Sequence, residues 1–518
     1  MNNRNYNIFF HTHTVSGIVI SVVLYVIFFA GSFSFFKDDI TNWERNESVA
    51  NSKAISVNTE NLLDSINKET NLHGRTISIS KHSIQRRVNV SLEESKDSLA
   101  SKKDKEGKFF YLDTKTFKQS TYEESYSLGE FLYRLHFLAQ IPYPVGYYLS
   151  GFVALFFLFA TVTGVLLHWN KIVSAFYVFR PKEKLKTLWT DTHTSLGVLS
   201  LPFQFVYAVT GAFFMIKLLV IAPTLTALYE GDQKKLFIEL GYDSPPREFG
   251  YKPLQAPYHI NDFVVDAQNK WKDFNVTHIE IENYGDVNMH LTVSGQLASK
   301  QQFTGEGKLV YNIASGKVVK EKNPYTQTTY LDTVKNLLYV LHFANYGGYS
   351  LKIISFILGI IGCVVIISGV MIWLVARQKK GMPENKRRFN RRVVRVYLAI
   401  CLSMYPITAL TFIVCKAFYP ISQSNIYTFY FVSWLLLTVF FIIKRNDAFT
   451  NKFSLLSGSI LGFLVPLTNG IVTGNWFWKT FSNNQFQVFF IDAFWIILAS
   501  TTLYVTFKLK PTKQSKLV

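Results

Sequence analysis

"HTHTVSG" occupies His11–Gly17, and "DTHTSLG" occupies Asp191–Gly197. Each opens a long apolar run, and each carries Thr-His-Thr with a glycine four residues beyond the histidine. One histidine in one context, at the mouth of two separate hydrophobic segments, suggests that the chain is duplicated.

The runs are long. The chain has 518 residues, 49% of them hydrophobic, with 46 phenylalanines. A bilayer core takes about 20 residues of helix, and eight stretches qualify, at roughly 15–36, 147–169, 195–216, 353–376, 396–420, 426–443, 454–473 and 486–507. The first has no charge from Val15 to Phe36 and no small-residue cleavage pattern behind it, so it reads as a retained helix. The net charge of +19 sits in short loops. Lys171, Arg180, Lys182, Lys184 and Lys186 follow the second run, and Arg377, Lys379, Lys380, Lys386, Arg387, Arg388, Arg391 and Arg392 follow the fourth. Lys444, Arg445 and Lys452 join the sixth to the seventh, and Lys508, Lys510, Lys513 and Lys516 come last. Short basic loops stay cytoplasmic. The expectation is therefore a bacterial inner-membrane protein with both termini cytoplasmic and two long polar segments outside. The basic bias follows from topology and calls for membrane lipid, with no nucleic acid. Cys363, Cys401 and Cys415 all lie in apolar runs, which leaves no disulfide framework outside.

A shift of 180 superposes Thr12, His13, Thr14, Gly17 and Gly31 on Thr192, His193, Thr194, Gly197 and Gly211. A shift of 206 superposes "LYRLHF" from Leu132 on "LYVLHF" from Leu338, pairing His136 with His342. Between these, "KFFYLDTKTFKQ" from Lys108 resembles "KLVYNIASGKVV" from Lys308, each reading as two strands and a turn. At the end of the second helix "TGVLLHW" meets "SGVMIWL", setting His168 opposite Trp373. The unit of helix, outer α+β segment, histidine and helix thus occurs twice. Copies in the same orientation are related by an axis along the membrane normal, so His13 would face His193 at the inner surface and His136 would face His342 at the outer.

His13, Gly17 and Gly31 fall on one helical stripe, as do His193, Gly197 and Gly211. An imidazole one turn from a residue without a side chain leaves a flat slot of the kind a porphyrin with axial histidines needs. Glycines in membrane helices often serve close packing alone, and a lone interfacial histidine is ordinarily structural. Four histidines in two symmetric pairs are a stronger signal, because ionisable groups in membrane helices are costly. His168, four residues after Gly164, is an alternative ligand in place of His13 or His193. His11 reads as a surface residue, and His73, His82, His259, His278 and His290 lack metal-ligand spacing.

These features together resemble the PepSY-associated transmembrane family: the His-x-x-x-Gly openings at His13 and His193, the "LHF" segments at His136 and His342, and the two hairpins. The resemblance covers about residues 1–380. It implies an α-helical integral membrane protein, with a duplicated four-helix haem-binding bundle and two periplasmic α+β PepSY-like domains. Residues 393–518 would add a C-terminal four-helix membrane extension that the simplest members lack. The expected domains are 37–146 and 217–350 outside, basic loops at 170–194 and 377–395, the extension at 396–507 and a tail at 508–518.

Family members include ferric-siderophore reductases, and the resemblance implies two bis-His b-type haems. His13, His193, His136 and His342 would be iron ligands, with His168, Gly17 and Gly197 lining the cofactor. The activity implied is an oxidoreductase passing electrons outward to a ferric siderophore or another periplasmic acceptor. No G-x-G-x-x-G or P-loop is present, so electrons would come from a cytosolic reductase or membrane quinol. Two other classes stand beside this one: a PepSY-type peptide-binding or regulatory protein, and a siderophore or metal transporter.

Overall fold

The computed structural model describes residues 2–509 apart from 181, 241–244, 256, 299–304 and 379–380. Lys379, Lys380, Lys510, Lys513 and Lys516 of the basic loops and tail lie outside the described residues, as does the side chain of Lys171. In chain order the elements begin with helices α1 (Asn3–Ser34), α2 (Lys37–Arg45) and α3 (Thr59–Asn67). Strands β1 (Ile77–Ser80), β2 (Arg87–Leu92), β3 (Lys108–Asp113) and β4 (Gln119–Ser120) follow. Next come α4 (Leu128–His136), α5 (Val145–His168), α6 (Ile172–Tyr177), α7 (Leu185–Tyr229), α8 (Gln233–Glu239) and α9 (Ile260–Lys270). Strands β5 (Phe274–Glu282), β6 (His290–Leu297), β7 (Glu306–Asn312) and β8 (Lys317–Lys322) lead to α10 (Tyr330–Phe343) and α11 (Gly348–Ala376). The chain continues through α12 (Glu384–Ala417), α13 (Gln423–Lys444), α14 (Asp447–Thr473), α15 (Phe477–Ser482) and α16 (Phe486–Lys508).

Eight helices (α1, α5, α7, α11, α12, α13, α14 and α16) are long and apolar enough to cross a bilayer, and each overlaps one expected run. The protein is a multi-pass membrane protein. Two helices overrun their apolar cores. α1 starts at Asn3, where the Asn2 side chain accepts from the Asn5 N–H at 2.9 Å. α7 runs for 45 residues, about 68 Å at the α-helical rise, because the first breaks after the apolar stretch are Glu230 and Gly231, at φ 54° and 82°.

The chain divides into two compact units. One gathers residues 49–126 and 221–346. It contains a single antiparallel sheet of eight strands in the order β4-β3-β2-β1-β5-β6-β7-β8. The two outer segments therefore share one sheet, where the sequence suggested two separate domains. The join is β1 with β5, pairing Ile77 with Ile281 and Ile79 with Ile279. Alternation explains it: Ile77, Ile79, Ile279 and Ile281 all turn inward with Val88, Val90, Leu291 and Val293. α3, through Leu62, Leu63 and Ile66, and α9, through Ile260, Val264 and Ala267, cover the same core. Neither four-stranded half would bury its own apolar face and inner edge alone.

The other unit gathers residues 1–48, 127–220 and 347–518. α1 is its central helix, burying Leu24, Tyr25, Phe28, Phe29 and Phe33. Close approach is made by small residues: a Cβ on Gly362 would fall 2.5 Å from the Phe28 ring. Phe33 meets Phe356 of α11 at 5.5 Å, Phe412 of α12 at 6.4 Å and Trp495 of α16 at 6.0 Å between ring centres. The C-terminal four helices are thus packed directly onto α1.

Candidate functional site

At one end of this unit the rings of His13 on α1 and His193 on α7 lie 5.9 Å apart, centre to centre, with their planes at 75°. Each ring is held from behind. His13 Nδ1–H donates to the Ala160 carbonyl of α5 at 2.8 Å. His193 Nδ1–H donates to the Val365 carbonyl of α11 at 2.9 Å and lies 3.2 Å from the Ser368 hydroxyl. A carbonyl only accepts, so Nδ1 must carry the proton, and Nε2 is left as the nitrogen with a free lone pair. This is the tautomer of a histidine prepared to bind a metal through Nε2.

Each ring also rests on a glycine one turn beyond its acceptor. A Cβ on Gly164 would sit 3.2 Å from His13 Cε1, and one on Gly369 would sit 3.2 Å from His193 Cε1. The offset is the same for both features: Ala160 to Val365 is 205 residues, and so is Gly164 to Gly369. Gly17 and Gly197, expected to form the slot, do not touch the imidazoles. A Cβ on either would meet no atom within 4 Å, so both border open space. Elsewhere α5 and α7 leave an open apolar groove of about 350 Å³, lined by Thr161, Val165 and Leu166 on one side and Leu201, Pro202 and Phe205 on the other.

His136, the last residue of α4, uses the same arrangement. Its Nδ1–H donates to the Ile27 carbonyl of α1 at 2.8 Å, and a Cβ on Gly31 would lie 2.5 Å from that nitrogen. Gly31 therefore serves His136, although helical periodicity set it in a stripe with His13. Gly211, its sequence counterpart, faces Ala154 instead, with 3.3 Å between Cβ positions. His342 lies near the end of α10 in the α+β unit, half-buried, its ring 5.6 Å from Phe343. His168 is exposed at the last turn of α5. His11 is exposed, and His259 and His290 engage Glu60 and the Asn288 carbonyl at 3.2 and 2.9 Å.

Asp191 stands where the repeat has His11. It is buried and accepts from Arg180 Nε–H and Nη2–H, each at 2.9 Å, tying the loop after α6 to the helix turn that carries His193. The residues missed in the sequence are the carbonyls of Ala160, Val365 and Ile27 and the glycines Gly164 and Gly369. The alignment of "TGVLLHW" with "SGVMIWL" held the signal, since it superposes Gly164 on Gly369 and Thr163 on Ser368. Among the described residues no three His, Cys, Asp or Glu side chains converge to hold a bare metal ion.

The family model described as the PepSY-associated TM region matches residues 10–376. An uncharacterised protein of Pseudomonas aeruginosa is 22% identical over 279 residues, which is 52% of this chain and 68% of that protein.

Proposed function

The chain belongs to the PepSY-associated transmembrane family, and from that premise we propose that it is a di-haem electron-transfer protein of the bacterial inner membrane. In this reading both termini are cytoplasmic, and electrons pass from the cytoplasmic side to a periplasmic acceptor. The acceptor proposed is a ferric siderophore, whose iron is held weakly once it is Fe(II).

One observation carries the reading: His13 and His193 present paired, Nε2-free imidazoles beside two glycines that border open space. With imidazole–metal bonds of about 2 Å on each side, two rings clasping one metal bring their centres to about 6 Å, and the observed separation is 5.9 Å. Two histidines would suffice to hold a porphyrin's iron, and among the described residues no three-residue metal site is present. The group would supply reversible one-electron exchange at iron.

The protein's own part is positional. The carbonyls of Ala160 and Val365 fix each ring's tautomer and tilt, and Gly17 and Gly197 leave room along the helix backbone. Held by His13 and His193, the group would supply electron transfer rather than small-ligand chemistry. The matched offsets of acceptor and glycine support a duplicated bundle. His136, held by the Ile27 carbonyl and resting on Gly31, is proposed as a ligand of the second haem. His168, exposed at its helix end, is not proposed as a ligand.

The test is an absorption spectrum of the purified chain. A sharp α-band on reduction, diminished in His13→Ala, is expected. A colourless protein after haem-replete expression would move the assignment to the peptide-binding or regulatory class. Uptake that survives replacement of all four histidines would favour a transporter.

A further inference from the structure

The C-terminal four helices contain no histidine, yet they bury charge. Near the end of the bundle where α1 turns into α2, Glu44 of α2, Lys416 of α12 and Asp492 of α16 are 2%, 1% and 0% exposed. Asp492 accepts from Trp43 Nε1–H and from Asn469 Nδ2–H, each at 2.8 Å. Glu44 accepts from the Leu128 N–H at 2.7 Å. The Lys416 ammonium donates to the backbone carbonyl of Trp43, lies 3.5 Å from that of Glu44, and sits 4.8 Å over the Trp43 ring. Among the described residues it pairs directly with neither carboxylate, though its field reaches both Glu44 and Asp492. Trp495, one turn beyond Asp492 and fully buried, has no acceptor for its indole N–H among the described residues. The region thus carries more polar groups than its own hydrogen bonds use.

Two carboxylates and one ammonium, all ionised, would leave a net negative charge in a dry interior. Burying an uncompensated charge costs several kcal/mol, and binding one proton removes it. We propose that Glu44 and Asp492 share a single exchangeable proton against Lys416, and that the C-terminal extension builds this proton-binding site onto the family's four-helix bundle.

A further buried carboxylate, Glu47, follows α2 three residues after Glu44. Arg45 of α2 favours the Glu44 anion, and burial outweighs it, pushing the Glu44 carboxyl up to about 7. On α12 the neighbour is the buried Cys415 thiol. On α4, Glu130 is already paired with Lys37 and Arg134. Asp39, the other buried acid of α2, belongs to a separate group with Tyr349 and Lys352 of α11, at 2.6 and 3.9 Å. The chemistry is carboxylate plus a proton from water giving carboxylic acid, with no electron transferred. If the chain moves electrons as proposed above, such a site would balance charge at one end of the wire. That consequence rests on the haem reading, and the proton site does not.

Infrared difference spectroscopy of the full-length protein, titrated between about pH 5 and pH 9 across the range of shifted carboxyls, reads the site without any cofactor. The wild type should show one protonated-carboxyl band that disappears on alkalinisation. In Glu44→Gln or Asp492→Asn the remaining carboxylate has Lys416 to itself, stays ionised, and the band should vanish. In Lys416→Met neither carboxylate is compensated, so the band should grow and persist to higher pH. Asp39→Asn should leave the band in place. A wild-type protein with no titrating carboxyl band overturns the proposal, as does a band untouched by Glu44→Gln and Asp492→Asn. A colourless protein that keeps the band would sink the haem assignment alone.

Discussion

α7 and α12 solve opposite packing problems. α12 is buried along most of its length, with Tyr397, Leu398, Cys401, Met404 and Phe412 inside, and Trp495 of α16 fills the space against Phe412 and Gly462. α7 buries mainly small or polar residues, among them Ser200, Gln204, Ala208 and Thr210, and borders an apolar groove. A membrane helix with small and polar residues on its buried face and exposed apolar residues along a groove leaves room that its neighbours do not fill. A helix with no gap is arranged around its neighbours. The glycines make the same distinction: Gly458 and Gly462 admit rings of adjacent helices, whereas Gly17 and Gly197 admit nothing from the protein.

The largest effect that sharpens this contrast is loss of the inner haem. His193→Ala or His13→Ala should remove one haem of two and reduce the α-band by about half while the chain still folds. Full colour in both variants would mean that the pair does not ligate.

Gly17→Leu comes next. The new side chain enters space the protein leaves empty, so folding should be nearly unaffected while haem content falls severalfold. Gly164→Val should act more weakly on content. Its Cβ reaches the His13 ring, and the ring must shift a few tenths of an ångström. A Gly17→Leu protein with normal haem would show that the open space is filled by lipid.

In the extension the prediction inverts. Trp495→Ala should cost about 3–5 kcal/mol, as large-to-small changes in packed cores do, with an unchanged absorption spectrum. A thermal or detergent-denaturation series checks it.

The smallest effect lies in the α+β unit. Burial alone would raise the Asp113 carboxyl, but the N–H groups of Thr116 and Lys115 and the Arg86 guanidinium hold it below its ordinary range. A depressed carboxylate stabilises the fold above its unfolded pKa, and that contribution is lost as pH falls through the folded pKa. Asp113→Asn should therefore cost about 1 kcal/mol near neutrality and nothing in acid, read from the pH dependence of unfolding.

Much of this was legible in the sequence because it is local. Hydropathy located all eight spans, and the Thr-His-Thr repeat singled out the two histidines that the fold brings together. The hairpins at Lys108 and Lys308 became β3–β4 and β7–β8. What was not legible depends on partners. Pairing of Ile79 with Ile279 joins strands 200 residues apart, and nothing in either strand's alternation says that its neighbour is the other copy. The acceptors of the histidine Nδ1–H groups are backbone carbonyls, which every residue has. Gly31 was assigned to the wrong histidine because periodicity gives the face of a helix and not the neighbour that covers it. The buried Glu44, Lys416 and Asp492 are far apart in the chain, and only the packing of α12 and α16 on α2 reveals them as one group.

The central claim is that paired imidazoles hold porphyrin iron in this bundle, and quantitative haem analysis of the purified full-length chain tests it most directly. The account predicts two haems per chain, falling to one in His13→Ala. A well-folded protein expressed with ample haem that carries none would contradict it.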